Sequence, residues 1–284
     1  MPPKPLLVYL MAWVASTQAI PAEAELTLGV FPRRPAAETH GLFSPLADYL
    51  SKELGEKVIL VIPRDFPSFW HDVKAKKYDL VHLNQYHYIK SSKELGYQVF
   101  AVNEEQGLKT TRGQLTVRKD SGIRSVSDLK GKTILFGGDS KAMGSYIAPT
   151  AILKKAGLIE GRDYTAQFAK NPPSAMFAVY NQIADAAATG DSILQLPSIT
   201  TQIDTSQLLT LALGEEFVHL AWATKDNLPA AVRKKILNSM TQLHKTHRGR
   251  EVLKACQVDN FRVATDADFA KVREITQFVL GEAY

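Results

Sequence analysis

From Leu26 onward the chain alternates short apolar runs with amphipathic stretches, and that alternation restricts it to sheets of mainly parallel strands covered by helices. Leu26-Thr27-Leu28-Gly29-Val30 reads as a strand, followed by a helix from about Pro45 to Leu54. Ser44 suits its cap, Pro45 its first position and Gly55 its end, while Leu46, Tyr49, Leu50 and Leu54 give it one apolar face. Val58–Ile62 is the next strand, then a helix from about Pro67 to Ala75 and a strand from Tyr78 to Leu83. A second set follows the polar stretch 103–112, with strands near Gln114–Val117, Thr133–Phe136, Thr165–Phe168 and Asp185–Ala188, separated by helices near Ser145–Ala156 and Pro173–Gln182. The rest reads as strands at Leu208–Leu213 and His219–Thr224, then helices near Pro229–Lys245, Arg248–Ala255 and Asp266–Leu280.

Two such sets in 284 residues predict two lobes, since one domain typically takes about 100–200 residues. Lys4, the apolar Leu6–Val14 and the small-residue site Ala22-Glu23-Ala24 have the order of a cleavable secretory leader, too short to span a bilayer, so the mature chain is expected to begin near Glu25 and to be exported. Cys256 is the single cysteine, which excludes an internal disulfide; a packed thiol at a helix end is its plain reading. The net charge of +5 is spread along the chain, which argues against a nucleic-acid footprint and fits an anionic ligand.

Open α/β sheets bind ligands beyond the carboxyl ends of their strands. Here those ends fall near 31–34, 63–66, 83–85 (with Asn84), 137–144, 169–171 (with Asn171) and 189–191 (with Asp191). Phe136-Gly-Gly-Asp-Ser-Lys-Ala-Met-Gly-Ser-Tyr146 is the most informative: a strand end, a glycine-rich turn and a helix start, whose unpaired amides suit an anion. An ordinary strand-to-helix turn would look the same. No Gly-Lys-Ser/Thr follows, which excludes a phosphate loop for nucleotide triphosphates. Phe66, Trp70, Tyr86 and Tyr88 could line a pocket or simply pack the core. His71, His82 and His87 match no zinc spacing, and no hydrolase or dinucleotide motif is present, so no metal, cofactor or catalysis is expected.

The chain resembles the type II periplasmic binding proteins of ATP-driven importers, and most closely their phosphonate/phosphate branch. The resemblance rests on Phe43–Gly55, Asp120–Ile134, Ser145–Pro149, Ala184–Ala188 and Ala264–Phe269, in that order and spacing. It implies two α/β lobes joined by two crossing strands: residues 25–112 with 218–284, and residues 113–217. It further implies a monomer that encloses a small, anionic solute and docks on a membrane permease or, alternatively, on a sensor kinase; an enzyme using the cleft is the third alternative. Ligand contacts would come from Phe66, Asn84, Tyr86, Tyr88, Ser140, Ala142, Met143, Gly144, Ser145, Asn171 and Asp191. The phosphonate pattern has Ser-Thr-Ser where this chain has Ala142-Met143-Gly144, lacking two or three hydroxyl donors, which only Ser140 and Ser145 could replace. The family's histidine is also missing from Ala169–Pro173, and Phe66 stands where a tyrosine is common. A ligand other than a simple phosphonate is therefore expected.

Overall fold

The structure, a computed structural model, describes residues 25–284; the expected leader, residues 1–24, lies outside them. In chain order the elements are β1 (Glu25–Val30), α1 (Ala36–Leu54), β2 (Lys57–Val61), α2 (Phe66–Lys74), β3 (Leu80–Leu83), α3 (Gln85–Leu95) and β4 (Gln98–Glu104). The chain then crosses on β5 (Thr110–Thr111) to β6 (Gly113–Arg118), β7 (Thr133–Phe136), α4 (Ala148–Lys155), β8 (Thr165–Phe168), α5 (Pro172–Tyr180), β9 (Ala186–Gly190), α6 (Pro197–Thr200) and β10 (Leu208–Leu213). It returns on β11 (Phe217–Val218) to β12 (Ala221–Thr224), α7 (Ala230–Thr241), α8 (His247–Cys256), β13 (Asn260–Val263) and α9 (Ala270–Leu280).

These strands form two sheets, ordered β13-β4-β12-β3-β1-β2 and β10-β6-β9-β7-β8. In each, the strands of the first βαβ turns pair in parallel, and the strands laid down by the crossing chain pair antiparallel. The crossing strands β5 and β11 pair with each other, Phe217 opposite Thr111 and Val218 opposite Thr110, and join the two lobes. An aspartate at the mouth of a central strand locks each sheet: Asp79 Oδ2 accepts from the Thr27 amide and hydroxyl, both at 2.8 Å, and Asp185 Oδ2 accepts from the Thr133 amide at 2.8 Å. Burial pushes the Asp79 carboxyl up, yet the Lys225 ammonium and these bonds hold it below its ordinary value, so the lock stays ionised.

The first helix starts nine residues earlier than its proline suggests. Thr39, Leu42 and Phe43 continue the apolar face of Leu46 and Leu50 toward the N-terminus, and their burial outweighs the hydrogen bond lost at Pro45. Ser44 is consequently interior to the helix, its hydroxyl donating to the His40 carbonyl at 2.6 Å, and not a cap. Helix α3, the strands β4 and β13 and the short α6 were not foreseen. The first turns of α3 are buried on every side, from Gln85 through Ile89, and therefore show no helical period. The single helix expected over 229–245 is broken at Gln242 into α7 and a short tight turn. Cys256 is buried, as a packed thiol should be, and burial pushes that thiol up to about 12.

One apolar cluster fills the space between the first sheet and α1, α7 and α8. A second covers the opposite face and continues into the other lobe, taking in Met143, Ile147, Ala148 and Ala151 beside Phe31, Tyr86 and Leu220. Two smaller clusters flank the second sheet. Within the first sheet, β1 passes directly over the Tyr78 ring: a Cβ on Gly29 would lie 2.5 Å from the ring's Cγ. Gly29→Ala is therefore expected to lower stability by about 2 kcal/mol, because overpacking a tight core costs roughly 1–3 kcal/mol. A denaturant midpoint unchanged from that of the unaltered protein would refute this reading of the contact.

Candidate functional site

The second lobe supplies a floor of backbone. After β7, Asp139 folds the loop back, its carbonyl accepting from the Ala142 amide at 3.0 Å and its Oδ1 from the Lys141 amide at 2.9 Å. The helix then opens with one wide turn over Met143–Ile147, in which the Ala142 carbonyl accepts from both Tyr146 and Ile147, before α4 proceeds. Pro149 lacks the amide that a regular turn would use here, which frees the wider register. The amides of Met143, Gly144 and Ser145 meet no acceptor among the described residues and stand at the start of a helix, an arrangement that favours an anion.

The open side of Gly144 faces Gly190, 3.9 Å from its Cα, and the open side of Gly190 faces the Thr111 hydroxyl, also 3.9 Å away. That hydroxyl donates to Asp191 Oδ1 at 2.9 Å. Thus Gly144 and Asp191, far apart in sequence, come together on one bare surface.

The first lobe supplies an aromatic wall. His87 lies against Phe66 (5.7 Å between ring centres, nearly parallel), Trp70 (5.1 Å) and Tyr86 (5.3 Å), and Phe66 approaches Phe31 at 6.1 Å. Asn84 caps α3 by accepting from the His87 amide at 2.8 Å, and its Nδ2 reaches across to the Lys141 carbonyl at 3.3 Å. The His87 ring Nδ1 lies 2.8 Å from the same Asn84 oxygen, which fixes its proton there. Burial, then the Lys90 and Lys141 ammonium groups, bring His87 down to about 3, so the ring is neutral.

Where the lobes join, Arg33 Nη2 lies 3.5 Å from Glu105 Oε1, and His219 Nε2 lies 4.0 Å from Glu105 Oε2. The His219 Nδ1 accepts from the Leu220 amide at 3.0 Å, which leaves the ring proton on Nε2, facing Glu105. Burial pushes the Glu105 carboxyl up, but Arg33, His219 and Asn103 outweigh it and hold the group below its ordinary value.

Of the residues expected from sequence, Asn84 reaches the loop that carries Ala142, Met143, Gly144 and Ser145, Gly144 lies beside Gly190 next to Asp191, and Phe66 stacks on His87. Met143 contributes only backbone to the floor, because its side chain is buried in the cluster shared with the first lobe. Ser140 is exposed at the loop tip. Asn171 caps α5, its oxygen accepting from the Ser174 amide and hydroxyl. Tyr86 lies beneath the Lys141 ammonium, 5.1 Å from its ring centre, and donates to Glu282 at 2.7 Å. Tyr88 does not join them; it packs on Phe269 and donates to Asp266 at 2.7 Å. Sequence reading missed Arg33, Glu105 and His219, and only the placing of 31–34 at a strand end pointed toward the first of these. Among the described residues no group of three or more His, Cys, Asp or Glu is placed to hold a metal ion.

The family described as "ABC transporter, phosphonate, periplasmic substrate-binding protein" matches residues 28–269. A binding-protein component of a phosphonate ABC transporter from Pseudomonas aeruginosa superposes with a TM-score of 0.77 at 16% identity, covering 91% of this chain and 87% of that one. The PhnD1 protein of Prochlorococcus marinus in complex with methylphosphonate gives 0.77 at 17% identity, covering 91% and 99%. At such identities the likeness establishes the fold. In sequence, the tetrathionate sensor histidine kinase TtrS of Salmonella typhimurium is 26% identical over 167 residues, 57% of this chain, and the match spans 28% of that kinase's length.

The buried histidines make stability depend on pH. Burial brings both His82 and His87 down to about 3, whereas an unfolded histidine titrates near 6.5. Their contribution is complete above about pH 6.5 and is lost as pH falls toward about 3, by up to about 1.4 kcal/mol per pH unit for each ring. Urea unfolding from pH 6.5 to 5 is expected to show this slope, shallower by about one proton in His87→Phe. Equal slopes in the two proteins would mean that His87 is protonated in the fold.

Proposed function

Because this chain belongs to the periplasmic substrate-binding proteins of phosphonate ABC transporters, we propose that it captures a small oxyanion between its lobes and delivers it to the membrane permease of an ATP-driven importer. The observation that carries this reading is the set of unspent amides of Met143, Gly144 and Ser145 at a helix start, on a loop whose Met143 side chain shares one apolar cluster with Phe66, Trp70 and Tyr86 of the other lobe. The amides and the helix dipole favour negative charge, and Phe66, Trp70 and His87 suit an apolar part of the same solute. The ligand residues are Asn84, Ser145 and Asp191, with the backbone amides of 143–145. Export through the leader at 1–24 places the protein where such a solute arrives.

A second reading has support in the match to the sensor kinase. The same capture would then be read by a membrane histidine kinase, and reconstitution with each candidate partner separates the two. Receptor function requires that the ligand be released unchanged, which distinguishes both from an enzyme.

The test is a thermal-shift screen of the exported protein against phosphate, phosphite, phosphonates, sulfur oxyanions and small organic metabolites, since a solute that binds only the folded form raises apparent stability. X-ray scattering with the best solute is expected to show a smaller radius of gyration, because the contacts come from both lobes. An unchanged profile at saturation would count against closure.

Simple alkylphosphonates are expected to bind about a hundredfold more weakly than to a site with the hydroxyl loop, since each charge-assisted bond is worth roughly 1.5–3 kcal/mol and two are missing. Calorimetry with methylphosphonate on the unaltered protein and on an Ala142→Ser, Gly144→Ser variant reads this directly. Met143 is left in place because its side chain is part of the core. Tight binding by the unaltered protein would refute the expectation.

A further inference from the structure

We infer that Arg33 sets the charge specificity of the cleft, presenting a guanidinium with unspent donors to a tetrahedral oxyanion, and that Glu105 is its positioning residue. The inference rests on the receptor reading and adds to it the group that replaces the hydroxyls absent from the 142–144 loop.

The two neighbouring arginines are used differently. Arg34 Nη1 is committed to the surface, donating to Glu38 at 3.2 Å and to Gln257 at 2.8 Å. Arg33 has its charge held but its donors free. Its guanidinium lies 5.5 Å over the Phe31 ring and 3.5 Å from a Glu105 oxygen, yet none of its side-chain N–H groups makes a hydrogen bond to a described residue. A purely structural arginine pair closes on its carboxylate with two short parallel bonds; this one stands off.

Glu105 is fixed from behind. The indole of the fully buried Trp222 donates to Asn103 Oδ1 at 2.7 Å, which settles the amide's orientation, and Asn103 Nδ2 then donates to Glu105 Oε1 at 2.7 Å. A carboxylate so held restrains Arg33 without spending its donors. The backbone turns at the end of β1, with the Arg33 amide donating to the Phe31 carbonyl at 2.9 Å.

The Arg33–Glu105–His219 group lies beside the crossing strands that lead to the other lobe. His219, which faces Glu105, directly follows Val218, which pairs with Thr110, and the neighbouring Thr111 hydroxyl is shared between Asp191 Oδ1 and the open side of Gly190. An oxyanion on the amides of 143–145 would therefore meet Arg33 from the first lobe, one lobe supplying dipoles and the other the full charge. Asp191 would accept from a hydroxyl on the same anion, which favours one that retains a proton.

The probe is inorganic phosphate, titrated into the exported protein by calorimetry near neutral pH, with unfolding midpoints recorded without phosphate to confirm that each variant folds. The unaltered protein is expected to bind phosphate, Arg33→Gln to bind it at least about tenfold more weakly, and Arg33→Lys, which keeps the charge and loses the fork, to fall between. If Arg33→Gln does not fold, Arg33→Lys decides. Glu105→Gln separates positioning from simple repulsion: removing a negative charge should tighten anion binding, so weaker binding supports the positioning role and tighter binding overturns it. No binding of millimolar phosphate by the unaltered protein, or equal affinity in the Arg33 variants, overturns the inference. The receptor reading falls separately, if no solute of the screen closes the lobes.

Discussion

Met143 is buried by the lobe to which it does not belong, and the geometry of the cleft follows from that contact. With its side chain held in the cluster that contains Phe31 and Tyr86, the loop before α4 is anchored against the first lobe, and what it leaves facing the cleft is backbone. The wide turn at 143–147 allows this, because it carries Met143 and Ile147 into the shared cluster while leaving three amides without acceptors. Gly113 tightens the same region: a Cβ there would fall 2.6 Å from the Pro149 nitrogen, so the strand entering the second lobe lies directly against the helix that follows the 142–145 loop. Floor, crossing strand and hydrophobic seam therefore form one unit, in which the chemistry of the loop is decided by packing.

The architecture was legible because buried strands and amphipathic helices write their period into the sequence. The strands β1, β2, β3 and β6 to β10 fall where the apolar runs are, and the two crossing strands that the resemblance implies are the paired β5 and β11. What escaped has a physical cause in each case. The opening of α3 is buried on all sides and mixes polar with apolar residues, so it shows no face; β13 is four residues with an arginine inside; and α1 runs through a proline that looks like a start. Local signals gave way where burial of Thr39, Leu42 and Phe43 was worth more than the bond that Pro45 cannot make.

The site was legible only on one lobe. The glycine-rich turn at 137–144 and Asp191 stand out in the sequence, since a helix start and a strand end are local features. Arg33, Glu105 and His219 come from three distant segments, and nothing in their spacing announces that they meet. Tyr88 illustrates the converse: an aromatic beside a strand end turned out to face Asp266 and Phe269, because α3 rotates successive side chains by about 100° and only some of them reach the cleft.

The last residues of the chain add a restraint of a different kind. Glu282 accepts from Tyr86 of the first lobe at 2.7 Å and from Lys141 of the loop before α4 at 3.2 Å, with Tyr284 donating to it at 2.6 Å. The carboxylate is 33% and the lysine 40% exposed, so dissolved ions reach them. Met143 and this ion pair hold the same loop to the same lobe, but only the pair is screened, over a Debye length of about 8 Å at physiological ionic strength. The grip on the loop is thus divided between a part that follows the salinity of the surroundings and a part indifferent to it, and a cell moving from fresh to saline water would loosen one and leave the other.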